Sequence, residues 1–288
     1  MANIAIYTFN SSTDTLPTFN DEYTYDYTDV YNSDGTKTRT ITSNGKPTSI
    51  KFTRATGLVS VSYLDTSELT SMEELFYECT NLISLDTSGW DTSNVTDVKY
   101  MFYKCSSLTT LNLSNWDLNK LSTSAFDCCD YTLDGCTNLS TIYMLNCDAE
   151  TTIFTIMREC NLPSRTAAAS PGVVLLNSDE LDEFRNTSAY GYSENRNWKF
   201  YIPVAKYTFT SSTDTLPTFN SEYNYIYSDV VSGSNTIRTI FADDAPTSVS
   251  FKNKNGLISL SKLNTSNLTS MEDMFYFCSN LTNINLKD

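Results

Sequence analysis

The side chains able to do chemistry in this chain are carboxylates, thiols and phenols, because its 288 residues include no histidine. Without an imidazole, Ser-His-Asp and Cys-His nucleophiles cannot be assembled. Asp179, Glu180, Asp182 and Glu183 supply paired carboxylates, the inventory of a glycoside hydrolase. They fall in the run Ser178 to Arg185, whose early acids predict a short helix carrying these residues on a solvated face. Nine glycines form no phosphate-cradling loop. Asp29, Ser33 and Asp34 do not align with Gly35 as a calcium loop requires. No catalytic residue and no cofactor is assigned, and the expectation is a protein that is not an enzyme.

Cys79, Cys105 and Cys278 recur at one position beside Phe76, Phe102 and Phe275. Such periodicity marks small buried hydrophobes, so these thiols are expected to be reduced and buried. Cys128, Cys129, Cys136, Cys147 and Cys160 are less regular. Adjacent thiols such as Cys128 and Cys129 lack zinc-ligand spacing, and no metal site is expected.

Binding residues are easier to nominate. Leu111 and Leu113 alternate with Thr110 and Asn112, a period of two that sends leucines inward and polar residues outward. The same pattern places Ser84, Thr110 and Thr141 in one exposed column and Asp86, Asn112 and Tyr143 in a second. These six are candidate ligand contacts. Tyr23, Tyr25 and Tyr27, echoed by Tyr223, Tyr225 and Tyr227, form a competing surface, since tyrosine offers apolar area and a hydroxyl at low entropy cost. Trp90 and Trp116, one repeat apart, could stack sugars but read better as core residues.

What positions these residues is a repeat within a repeat. Residues 7–20 return as 207–220 with one change, Asn10 to Thr210, and Ser71-Met72-Glu73 returns as Ser270-Met271-Glu272. Inside each module runs Phe-x-x-Cys-x-x-Leu-x-x-(Leu/Ile), at Phe76 to Leu85, Phe102 to Leu111 and Phe275 to Ile284, with a degenerate copy keeping Cys136, Leu139 and Ile142. The period is 24 to 26 residues. Ser71 with Glu74, and Ser270 with Asp273, look like capping boxes, so each copy is expected to pair a short strand with a short helix. Such units must stack to cover their apolar faces. Each module opens with Tyr-rich alternation, the turn residues Asn32 to Gly35 and the run Thr38 to Thr42, which together predict a β-hairpin.

The stretch Leu-Asp-Thr-Ser-x-Trp-Asp-Thr-Ser-Asn-Val-Thr-Asp-Val-x-x-Met-Phe-x-x-Cys-x-x-Leu resembles the BspA-like leucine-rich repeats of bacterial surface proteins, which are found also in phages and protozoa. The resemblance covers 57–145 and 256–288; the third copy departs from it. It implies binding rather than catalysis. The fold class expected is a mixed α/β repeat protein: a short leucine-rich-repeat solenoid with small β-rich heads, the module being duplicated. The divisions are a β-rich head at 1–56, a solenoid at 57–150, a cap at 151–204, a second head at 205–255 and the start of a second solenoid at 256–288.

Thirty-four acids against 19 bases give a net charge of −15, which repels nucleic acid and anionic membrane surfaces, and no apolar run reaches the length of a membrane span. The first residues, Met-Ala-Asn-Ile-Ala-Ile-Tyr, lack the basic start and apolar stretch of a secretory signal. Virion proteins leave by lysis and need none. The leading expectation is therefore a structural or receptor-binding protein on a phage virion surface, as a fibre, tail or capsid decoration. Its partners would be other virion proteins or copies of itself, with a cell-surface protein or glycan as ligand. The alternative is a bacterial cell-surface adhesin whose signal has been removed; a glycan hydrolase is third. Module two stops just past the equivalent of Leu85, so further chain or another subunit is expected over Leu281, Ile284 and Leu286.

Overall fold

In the computed structural model of the protein, the described residues are 1–12, 16–20, 23–121, 128–165, 171–210, 216–219 and 224–285. They divide into two compact units, 1–174 with 179–199, and 175–178 with 200–288.

The first unit opens on a sheet whose strand order is β3-β4-β1-β6, formed by β1 (Ala2–Asn10), β3 (Tyr25–Tyr31), β4 (Thr36–Ser43) and β6 (Leu58–Leu64). A two-stranded pair, β2 (Thr18–Phe19) with β5 (Ile50–Lys51), lies beside it in sequence. Alternation drives the arrangement: Ala5, Tyr7 and Phe9 of β1 are buried, while the residues between them are partly open. The predicted hairpin is β3 with β4. Gly35 turns it at φ +84°, a conformation glycine takes without a Cβ penalty.

Three short parallel strands follow, β7 (Ser84–Asp86), β8 (Thr110–Asn112) and β9 (Thr141–Tyr143), and β10 (Gly172–Leu175) flanks β9. Leu85, Leu111 and Ile142 stand side by side in this register and are all buried. The leucine positions expected to face inward therefore do so.

The segments 65–83 and 87–109 contain no helix, and here the expectation fails. Ser71 does not cap one: its hydroxyl accepts from the amide of Glu73 at 3.2 Å, a local turn. Glu74 and Glu78 take left-handed backbone at φ +56° and +55°, which breaks helical propagation. The amides then alternate in duty. Those of Leu75, Tyr77 and Cys79 close turns onto Met72, Glu74 and Phe76, whereas those of Met72, Glu74, Phe76 and Glu78 donate to the carbonyls of Asp97, Lys99, Met101 and Tyr103 in the next copy. An α-helix would spend those donors internally. The chain is thus predominantly β, built of several sheets, and not a mixed α/β leucine-rich-repeat solenoid.

Among the described residues, the longer helical elements lie after β9. Two π-helical turns, Ala149–Ile153 and Thr155–Glu159, precede β10, and α1 (Ser178–Arg185) and α2 (Ser188–Asn195) follow it. The helix expected over 178–185 is α1. Trp198 fills this end of the unit, its indole N–H donating to the Pro163 carbonyl at 2.9 Å. Its ring lies so close to Gly172 that a Cβ there would have no room.

The second unit repeats the head, with strand order β13-β14-β11-β16 from β11 (Trp198–Thr210), β13 (Tyr225–Ser232), β14 (Asn235–Ala242) and β16 (Leu257–Leu263). The small pair recurs as β12 (Thr218–Phe219) with β15 (Val249–Ser250), and β17 (Asn283–Ile284) pairs in parallel with β16. Met271 and Ile284 are 56% and 44% exposed, whereas their counterparts Met72 and Leu85 are buried. Cys278, expected to be buried, is only half-buried for the same reason: no described copy follows to cover it. Leu286 lies outside the described residues.

Candidate functional site

The six strand candidates form one continuous surface. Parallel pairing sets Ser84 beside Thr110 and Thr110 beside Thr141, and likewise Asp86, Asn112 and Tyr143. Ser84 and Asp86 are exposed and the other four half-buried. The second column is cross-linked, since the Asn112 amide donates to Asp86 Oδ1 at 2.8 Å. That same oxygen accepts from the Ser88 amide and hydroxyl at 3.0 and 2.7 Å. Burial pushes the Tyr143 phenol above its ordinary pKa, so it stays a neutral donor. The result is a fixed grid of hydroxyl, amide, carboxylate and phenol groups spaced at the roughly 4.8 Å interval of neighbouring strands.

In the heads, Tyr27 is 51% exposed and covers the guanidinium of Arg39 at 4.2 Å, with Phe9 on that group's other contact at 4.8 Å. Arg39 is itself buried and grips Asp29 through two 2.7 Å bonds. The copy reproduces this, with Arg238 at 4.1 Å from Tyr227, 4.8 Å from Phe209 and two 2.7 Å bonds to Asp229. Tyr25 is engaged elsewhere, stacked on Phe19 at 3.8 Å, and Tyr225 tilts against Phe219 at 5.2 Å. Tyr23, exposed, closes over Gly45. Tyr223 lies outside the described residues. The candidate head tyrosines are therefore partly consumed in holding the hairpin, and of those described Tyr27 and Tyr227 are the most exposed.

A further aromatic cluster joins successive copies. Tyr77 stacks on Tyr103 at 5.1 Å and Tyr100 on Tyr131 at 5.3 Å, with edge contacts linking the two pairs. Cations cover three of the rings: Arg54 at Tyr77, Lys99 at Tyr100 and Lys104 at Tyr103. The signal was available, because Tyr77 and Tyr103 each follow the repeat phenylalanine. Trp116 is buried, as a core residue should be, while Trp90 is half-buried against Phe76 at 6.2 Å.

The carboxylates of α1 do not converge. Asp179, Asp182 and Glu183 are exposed, and Asp182 pairs with Arg185 at 3.2 Å along the helix. Among the described residues, no three His, Cys, Asp or Glu side chains cluster as metal ligands would, and no helix is long and apolar enough to cross a membrane.

Two stretches of the chain, 48–133 and 238–288, match a family model described as a Mycoplasma protein of unknown function, DUF285. No curated protein and no solved structure matches. The matched stretches begin inside each head and take in the first two repeat copies of the first unit and the copy of the second; Ser84, Asp86, Thr110, Asn112 and the tyrosine cluster fall within them, whereas Thr141 and Tyr143 do not.

Proposed function

We propose that the protein is a non-enzymatic attachment protein displayed on a surface, engaging its ligand through the columns Ser84–Thr110–Thr141 and Asp86–Asn112–Tyr143. One observation carries this reading: the six side chains are held in register on a parallel ladder whose apolar partners are buried, so the polar face is rigid and open at once. Binding loses little conformational entropy on a surface already ordered. The leading carrier is a phage virion, as fibre, tail or capsid decoration. The description of the matching family as a Mycoplasma protein favours a second carrier, the bacterial cell surface.

Labelled protein is to be applied to candidate host cells alongside the double variant Asn112→Ala/Tyr143→Ala. The expectation is saturable binding that the variant loses while its far-ultraviolet circular dichroism stays unchanged. Equal binding by both proteins would refute the assignment of this face. Immunogold labelling of virions and of cells separates the two carriers.

A further inference from the structure

The third copy leaves two backbone donors without an acceptor among the described residues, on residues that line a cleft. In the second copy the amides of Tyr100, Phe102 and Lys104 reach the carbonyls of Asp130, Thr132 and Asp134, at 3.0, 2.9 and 2.8 Å. Their counterparts in the third copy are Tyr131, Leu133 and Gly135, as Cys136 following Gly135 shows. Backbone conformation agrees: Tyr131 and Gly135 have φ of +58° and +78°, matching +54° at Tyr100 and +56° at Lys104. Leu133 alone finds an onward acceptor, the Cys160 carbonyl at 2.9 Å. The amides of Tyr131 and Gly135 have no acceptor among the described residues.

Both residues line a cleft of about 620 Å³. Asp130 and Asp134 line it with them, and Arg196 stands among its remaining walls. The guanidinium of Arg196 is fixed by bonds to the Leu162 carbonyl at 2.9 Å and Ser164 Oγ at 2.8 Å, and rests on the Tyr192 ring at 4.4 Å. Tyr131 is 43% exposed; one face of its ring stacks on Tyr100 at 5.3 Å and Tyr103 meets it edge-on at 6.4 Å.

This set selects its ligand. Two fixed amides demand acceptor oxygens, two carboxylates demand donors, and a tyrosine ring offers an apolar face. A peptide strand would need the donor that Leu133 has already given to Cys160. An anion would meet two carboxylates against one guanidinium. Sugar hydroxyls are donors and acceptors together, and a pyranose ring presents C–H faces to an aromatic side chain. We propose that this cleft is a binding site for one neutral pyranose unit of a glycan, held by the Tyr131 and Gly135 amides, by Asp130 and Asp134, and by the Tyr131 ring. The proposal goes beyond the attachment reading, since it concerns a separate surface and does not depend on what carries the protein.

Full-length protein labelled with nitrogen-15 is to be titrated with the methyl pyranosides of glucose, galactose, mannose and N-acetylglucosamine, following amide resonances. At least one glycoside should move the Tyr131 and Gly135 amides saturably. Asp134→Ala should weaken that glycoside at least about tenfold, the worth of one hydrogen bond to a charged group. The rest of its amide spectrum reports whether the variant is folded; if it is not, Tyr131→Leu, which removes the ring but keeps the amide, is to show the same loss. Silence of both amides with all four glycosides overturns the proposal, as does an unaltered affinity in folded Asp134→Ala. A response to sodium sulfate alone would make the cleft an anion site and equally overturn it.

Discussion

The thiol of Cys105 donates to the main-chain carbonyl of Phe76, 3.1 Å away in the preceding copy. The same bond joins Cys79 to Phe52 at 3.2 Å, Cys136 to Phe102 at 3.1 Å and Cys278 to Phe251 at 2.9 Å. These cysteines are therefore more than small fillers of the core. Each gives a second donor to a carbonyl that already accepts a turn amide, and so ties its copy to the preceding one.

Burial pushes the Cys105 thiol from 9.0 up to about 12 and raises Cys79 and Cys136 in the same direction. A thiol raised in the folded state is neutral there while its unfolded counterpart ionises, so its contribution is complete below pH 9 and is lost as pH climbs towards 12. Urea titrations at rising pH should show stability falling by about 1.4 kcal/mol per pH unit for Cys105 alone in that window. Cys105→Ala should show a shallower fall; an identical slope would contradict the assignment.

Alkylation kinetics give a second test of the same row. Cys79 and Cys105 are fully buried and Cys278 half-buried. With iodoacetamide at neutral pH, Cys278 should react in the native protein while Cys79 and Cys105 react only after denaturation. Peptide mapping by mass spectrometry reads the order directly, and simultaneous labelling of all three would be inconsistent with it.

Leu111 is fully buried between Leu85 and Ile142. Leu111→Ala should cost about 2–5 kcal/mol through lost transfer energy and the cavity left behind. Ser84→Ala, one strand away on the exposed face, should change stability by less than about 0.5 kcal/mol. Equilibrium unfolding of the two variants would expose a wrong register by reversing their order.

Each head depends on its arginine. Arg39 sits between Phe9 and Tyr27 and forms a bidentate pair with Asp29. Arg39→Lys keeps the charge but loses the planar fork, and should destabilise the head by about 2–3 kcal/mol. The bond from Arg39 holds the Asp29 carboxyl below its ordinary 3.8. That stabilisation is present above about pH 4 and disappears as pH falls through the lowered value. Thermal melts of the wild type between pH 6 and pH 2 should lose more than those of Asp29→Asn.

Much of the β architecture was legible in the sequence, because period-two alternation and turn residues act locally: the hairpin of β3 and β4, the inward Leu85 and Leu111, and α1 over 178–185 follow from neighbours alone. The supposed repeat helices were not, since Ser71 and Glu74 carry the residue types of a capping box while the amides beyond them bond to residues 25 positions ahead. Nothing local announces that Glu74 and Tyr100 adopt left-handed backbone. The strand columns could be listed from pattern, and the tyrosine cluster from its repeat position. The cleft could not, because it gathers Tyr131 and Arg196 from distant parts of the chain where the third copy departs from the pattern.

Adjoining copies are joined by amide-to-carbonyl bonds, a currency every residue type except proline can supply. Met72 reaches Asp97 and Val98 reaches Cys128, so five additional residues enter between one junction and the next without breaking the scheme. A gene encoding such units can therefore gain, lose or exchange them by unequal recombination while each new neighbour still finds its bonds. Side chains on the open strands are then free to diversify.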